Sequence, residues 1–268
     1  MNVFEISFTK EEIKDFLDRI EVKKSEPSEE FLKMIVSGIL EHIPFQNITM
    51  LTNERTRPSK EMIKFDMLSG MGGLCTVRNP FLHEFLRALG FNVRFISSTM
   101  GEPDCHISLI ANINGADWWV DVGNGFPYLE PIMIGDTSVK SNWFMEYKLV
   151  FDDNKYHVYH KSNESTWYSN HNFTLEEVEY SVFDKMHELH YSQPGWGPFL
   201  TGLRVNRFWK DGGVIIRDER ASTRHEEETL DSIKKLDNFL NKWFPKKGFN
   251  GFIDIEKADK IWRIAQKG

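Results

Sequence analysis

The chain has 268 residues, 40% hydrophobic and 27% charged, with 33 Lys and Arg against 40 Asp and Glu for a net charge of −7. That is the composition of folded globular material with a real core, not of a disordered chain. No basic run exceeds the pairs Lys23-Lys24, Lys234-Lys235 and Lys246-Lys247, which argues against nucleic acid as a partner. No apolar run approaches the ~18 residues of a membrane span. The first eight residues lack a basic region followed by an apolar core, so no signal peptide is expected. Two cysteines, Cys75 and Cys105, make no disulfide framework and predict a reducing, cytoplasmic setting.

The first ninety residues read as helical. Thr9-Lys10-Glu11-Glu12 has the form of a capping box, followed by Ile13, Phe16, Leu17 and Ile20 at helical spacing. Ser28 opens a second helix with Phe31, Ile35, Ile39 and Leu40 on its apolar face, and Pro44 ends it. A third helix is predicted over Ser59 to Leu68, and a fourth from near Cys75 to Leu89, stopped by Gly90. Beyond Gly90 the period changes to two. Strands are predicted over Asn92–Thr99, His106–Ile113, Trp118–Val122, Phe144–Phe151 and Lys155–His160. Such a succession implies an antiparallel sheet curled into a barrel or sandwich. Leu203–Arg217 reads as a hairpin around Lys210-Asp211-Gly212-Gly213, and a final amphipathic helix is expected from Thr229 to Phe244, with Leu230, Ile233, Leu236, Leu240 and Trp243 on one side.

Cys75, in Gly72-Gly73-Leu74-Cys75, stands at the start of the fourth helix, where the helix dipole favours thiolate over thiol. His106 lies on an apolar strand and Asp121 follows Trp118-Trp119-Val120. Cysteine, histidine and aspartate in this order are the parts of a base-activated nucleophile. Their approach depends on one turn. If Asn114-Gly115 forms a two-residue loop, Ile113 faces Ala116, Ser108 faces Asp121, and Asp121 lies diagonal to His106 on one face. One extra loop residue would put them on opposite faces. Asp121 would then fix the imidazole, His106 would move the proton of Cys75, and Cys75 would carry an acyl group as a thioester, with the backbone amides of the helix start holding the oxyanion. Each residue alone also has a structural reading, and together the three leave the two readings about even.

At four places the residues resemble the arylamine N-acetyltransferases. Ile43-Pro44-Phe45-Gln46-Asn47 is similar to that family's Ile-Pro-Phe-Glu-Asn segment, and Gly72-Gly73-Leu74-Cys75 with Asn79 and Leu89-Gly90-Phe91-Asn92-Val93 to its nucleophile motif. His106 with Trp119-Val120-Asp121-Val122-Gly123 and Gly125, and then Arg207-Phe208-Trp209-Lys210-Asp211-Gly212, complete the likeness. The resemblance implies an α+β fold with a cysteine-protease-like arrangement of the triad: a helical N-terminal bundle (1–90), a central antiparallel β-barrel (91–200) and a C-terminal α/β lid (201–268). It implies catalytic Cys75, His106 and Asp121, and acetyl transfer from acetyl-CoA, a substrate rather than a bound cofactor, to an arylamine, hydrazine or related small-molecule amine. Phe45 and Asn124 are the implied acceptor-pocket residues and Gly125 a backbone contact; no metal is required. Membrane and nucleic acid are not expected partners, and the oligomeric state is open.

The departures from the pattern carry their own expectations. Met71, Val77 and Gln46 stand where the family has Arg, Glu and Glu, and are read as a charged support network exchanged for a neutral one; restoring Arg at position 71 alone should then destabilise the protein. Asn124 replaces a phenylalanine, which predicts weaker use of plain arylamines and a more polar acceptor. Rival readings are a macrolactam-forming amide synthase, a cysteine hydrolase of the transglutaminase or papain-like kind, and a binding protein without activity. His187-Glu188-Leu189-His190 has its histidines three apart, unlike the His-Glu-x-x-His zinc motif, and is read as a solvated helix or turn. Gly70-Met71-Gly72-Gly73 lacks the dinucleotide-binding glycine spacing, and Ser192–Pro198 reads as a connection between barrel and lid.

Overall fold

A computed structural model describes residues 4–52, 56–162, 166–244, 249 and 253–266; residues 1–3 and Lys246-Lys247 lie outside them. Helix α1 (Lys10–Arg19) opens with the capping box: Glu12 N–H donates to Thr9 Oγ1 at 3.1 Å and Thr9 N–H to Glu12 Oε2 at 2.7 Å. Helix α2 (Glu29–His42) is capped by Ser28. A two-residue strand β1 (Phe45–Gln46) and a short helix α3 (Ile48–Thr52) follow, neither predicted. Helix α4 (Lys60–Ser69) is capped by Ser59 and stopped by Gly70 in the left-handed region; α5 spans Cys75–Ala88. The bundle core is aromatic, with the Phe16 ring 4.8 Å from both Phe81 and Phe85. Each such fully buried ring contributes about 1.5–3 kcal/mol of transfer free energy.

The second layer is an antiparallel sheet of β2 (Asn92–Met100), β3 (Glu102–Ile113), β4 (Ala116–Val120), β5 (Ile132–Met133), β6 (Lys140–Ser141), β7 (Glu146–Asp152), β8 (Lys155–Lys161) and β9 (Tyr168–Phe173). Its spatial order is β5-β4-β3-β2-β9-β8-β7-β6. It is curled into a half-barrel. Trp119 of β4 stacks on Phe173 of β9 with centroids 5.8 Å apart, although two strands separate them, which a flat sheet would hold about 14 Å apart. Tyr128 crosses the interior to donate or accept at His160 Nε2 of β8, 2.5 Å away.

Helix α6 (Asp184–Ser192) follows. The third layer is β10 (Arg204–Trp209), β11 (Gly212–Arg217), β12 (Arg220–Thr223) and β13 (Glu227–Thr229), with α7 (Ile233–Trp243) and α8 (Ile255–Ala265). The hairpin turns at Lys210-Asp211, as Trp209 pairs with Gly212. Its sheet order is β1-β10-β11-β12-β13, so the segment after α2 supplies one edge of this sheet.

Two expectations are corrected. The helix predicted over 229–244 begins only at Ile233, because Thr229 ends β13, and it is not the final one, since α8 follows. Its buried face is Leu236, Phe239 and Leu240, while Ile233 is exposed. His187 and His190 are indeed helical, but both rings are buried rather than solvated, at 0% and 5% exposure.

Candidate active site

The glycines before Cys75 bring it against the segment after α2. Gly72 has φ +72°, and a Cβ there would sit 1.9 Å from Pro44 O, so no other residue fits. Gly73 N–H donates to Pro44 O, and Gln46 N–H to Gly73 O, both at 3.3 Å. Cys75 is thus the first residue of α5, buried, with no capping side chain from Leu74 ahead of it. Thr76 Oγ1 meets Tyr191 Oη of α6 at 2.8 Å, which pins α6 over the same helix end.

His106 and Asp121 come from the β3–β4 hairpin. Asn114 and Gly115 form its two-residue loop with φ of +52° and +85°, and the register runs from Ile113↔Ala116 to Leu109↔Val120 as expected. The imidazole and carboxylate accordingly share a face, and His106 Nε2–H donates to Asp121 Oδ2 at 2.6 Å. Asp121 Oδ1 accepts from Asn79 Nδ2 at 2.9 Å and from Gly123 N–H at 2.8 Å. Asn79, one helical turn after Cys75, also donates to Ile107 O at 2.6 Å and accepts from Val122 N–H at 3.0 Å. Gly123 lies directly on the nucleophile: a Cβ there would be 2.6 Å from Cys75 Cα.

Burial alone would depress the His106 pKa, but the Asp121 charge and hydrogen bond, with a further contribution from the nearby Cys75 side chain, hold it well above its ordinary value. For Asp121, burial would raise the pKa; the His106 charge and hydrogen bond outweigh it and keep the carboxyl low. With Nε2 committed to Asp121, the other ring nitrogen is the one left for Cys75. The three predicted side chains are brought into one neighbourhood, the imidazole bonded to the carboxylate and within electrostatic reach of the thiol.

The three positions of the expected neutral network lie near a buried charge. Met71, Val77 and Gln46 are all buried and uncharged, and Gln46 caps α3 by accepting from Thr49 N–H. Yet Arg78 is fully buried close by, donating through Nε to Val122 O and through a terminal nitrogen to Ile43 O, both at 2.5 Å; burial lowers its pKa to about 9, partly opposed by the Asp121 charge. A guanidinium therefore does stand at this site, on α5.

Phe45 is buried with its ring edge on the Gly125 backbone, where a Cβ would fall 3.0 Å away, and Phe199 lies 6.1 Å beyond. Asn124 Nδ2 donates to Asn170 Oδ1 at 3.4 Å, and Gly125 O accepts from Asn206 Nδ2 of β10 at 2.9 Å. Phe45 and Asn206 thus both meet the Gly125 backbone, while Asn124 is tied to Asn170 of β9. Asn79, Arg78, Tyr191, His171 and Asn206 also build the site. Only Asn79 had a signal in the sequence, its helical spacing from Cys75.

Residues 28–250 match the N-acetyltransferase family. The chain is 29% identical over 139 residues to the uncharacterized acetyltransferase YvcN of Bacillus subtilis, covering 48% of this chain and 55% of that one. It is 30% identical over 95 residues to the proansamycin X synthase of Amycolatopsis mediterranei, 32% of this chain and 36% of that one. The matched stretch thus spans about half the length of the first of these relatives and about a third of the second. In fold it is similar to the arylamine N-acetyltransferase of Salmonella typhimurium (TM-score 0.83, 18% identity, 96% of this chain and all of that one). It is also similar to the Mycobacterium marinum enzyme in complex with CoA (TM-score 0.77, 18% identity, 93% and 99%).

Proposed function

The chain belongs to the arylamine N-acetyltransferase family of acyltransferases, and from that premise we propose that it moves an acetyl group from acetyl-CoA to an amine through a thioester on Cys75. The observation that carries this is the His106–Asp121 pair within electrostatic reach of Cys75, with Asn79 securing the carboxylate from the helix that bears the nucleophile.

In the first half-reaction Cys75 Sγ forms a bond to the acetyl carbonyl carbon while His106 holds the proton. The carbon–sulfur bond of acetyl-CoA breaks, and coenzyme A leaves with the proton from His106. In the second, the amine nitrogen bonds to the thioester carbon, its proton passes to His106, and the electron pair of the broken C–S bond returns to Cys75 Sγ. The uncapped N-terminal turn of α5 supplies N–H donors for the oxyanion. Intact-mass spectrometry after mixing with acetyl-, propionyl- and malonyl-CoA tests this. Wild type should gain one acetyl mass and Cys75→Ala none; an unchanged wild-type mass contradicts the reading.

A second reading keeps the nucleophile and changes the substrate to a carrier-bound acyl chain closed into a macrolactam. The likeness to a proansamycin X synthase favours it. Failure of acetyl-CoA alongside acylation by a carrier-bound chain would select it.

A further inference from the structure

Beside the triad, the loop carrying Asn124 and Gly125 is surrounded by hydrogen-bond acceptors with nothing to accept. Asn206 gives its Nδ2 to Gly125 O, and a carbonyl only accepts, so the amide orientation is fixed; the remaining Oδ1 is buried without a partner. Asn124 gives its Nδ2 to Asn170 Oδ1, and its own Oδ1 is likewise buried and unpartnered. Asn170 is the extra residue of a bulge in β9, where Ser169 pairs with Tyr159 but His171 with Val158, and this lets two successive side chains meet. Asn170 Oδ1 takes the Nδ1–H of His171 at 2.8 Å, which leaves His171 Nε2 as a lone pair, again buried and unpartnered. His171 stays neutral, since burial and then the charge of His106 push its pKa to about 3. Its ring lies 5.6 Å from that of His106, and Asn206 and His171 are 6% and 2% exposed.

Three buried acceptors without donors are costly as they stand. A ligand that brings N–H groups removes that cost; one that brings a carboxylate sets lone pairs against lone pairs. Gly123 lies on the Cys75 backbone, so this cluster borders the place where an amine must attack. Building on the acyl-transfer reading above, we propose that the acceptor amine carries, beyond its reacting nitrogen, a carboxamide or comparable N–H-bearing group that Asn124, His171 and Asn206 bind. An acidic or purely hydrocarbon substituent is disfavoured at the same position.

The test compares 4-aminophenylacetamide, 4-aminophenylacetate and 4-propylaniline, whose methylene insulates the amine from the group that differs. The amide should have the highest kcat/KM by about tenfold or more, the equivalent of one good hydrogen-bonding difference. In Asn124→Leu, and independently in His171→Phe, that ratio should fall to within about twofold. Equal use of the three amines, or a preference that survives both substitutions, overturns the proposal. Calorimetric binding of phenylacetamide against propylbenzene to Cys75→Ala reads the same selectivity without acyl transfer. If no amine is acetylated yet phenylacetamide binds preferentially, the acyl-transfer reading fails and the acceptor-cluster assignment stands. If transfer proceeds and neither ligand is preferred, the cluster assignment fails alone.

Discussion

Asn79 Nδ2 lies 2.9 Å from Asp121 Oδ1, joining the helix that starts with Cys75 to the hairpin that carries His106 and Asp121. The same amide serves Ile107 O and Val122 N–H, so it has no unsatisfied atom and fixes both sides of the site at once. Asn79→Ala would take this partner from buried Ile107 O and Val122 N–H, about 1–3 kcal/mol each before relaxation, and leave Asp121 Oδ1 with Gly123 N–H alone. We expect a clearly lowered melting temperature and a loss of Cys75 acylation larger than that fall explains, read by stopped acylation at a temperature where the variant is folded. Acylation at the wild-type rate would show that the tie is not needed.

Asp121→Asn keeps the size of the side chain and removes the charge that holds the His106 pKa up. By the precedent of triads that lose this carboxylate, acylation should fall roughly 10⁴-fold while the fold persists. The imidazole should then titrate nearer its ordinary range, which proton NMR of His106 reads directly; an unmoved titration contradicts the assignment.

Gly123→Ala sets a methyl 2.6 Å from Cys75 Cα and from Asn79 Nδ2. Overpacking of this kind costs about 1–3 kcal/mol. The displaced groups are those of the site, so acylation should be nearly lost in a protein that still melts cooperatively. Full activity in Gly123→Ala would mean that the loop does not press on Cys75.

Arg78→Met should destabilise, because Val122 O and Ile43 O lose their donors in a buried place. Met71→Arg should destabilise as well, because position 71 is buried and the neighbouring carbonyls already have a guanidinium. A melting temperature unchanged or raised in both would remove Arg78 as the local support.

Asp66 of α4 is buried, and desolvation lifts its pKa to about 7. A carboxyl whose folded pKa is raised stabilises fully below its unfolded value, near 4, and that contribution is lost as pH rises through about 7. Its span is at most roughly 4 kcal/mol. Asp66→Asn should therefore raise the melting temperature at pH 8 and change it little at pH 4; an equal shift at both would contradict the buried carboxylate.

The sequence was most legible where a local rule sets geometry. Thr9 with Glu12, Ser28 and Ser59 mark helix starts because their oxygens cap free N–H groups. Asn114-Gly115 set the register that joins His106 to Asp121. What stayed hidden depends on distant partners. Nothing in the sequence marks Arg78 as buried; two carbonyls, from residues 43 and 122, enclose it. Strand β9 escaped because Asn170 and His171 interrupt the apolar alternation with a bulge. His187 and His190 look solvated by composition, yet α6 packs them inward, His190 stacked on Phe199 at 4.9 Å.

The most direct measurement is the rate of Cys75 alkylation by iodoacetamide at neutral pH, followed by peptide mapping, in wild type and in His106→Gln. Our account predicts that wild-type Cys75 reacts far faster than free cysteine and that His106→Gln brings it down to ordinary thiol reactivity. A wild-type Cys75 as slow as a buried inert thiol, or one equally fast without His106, would contradict it.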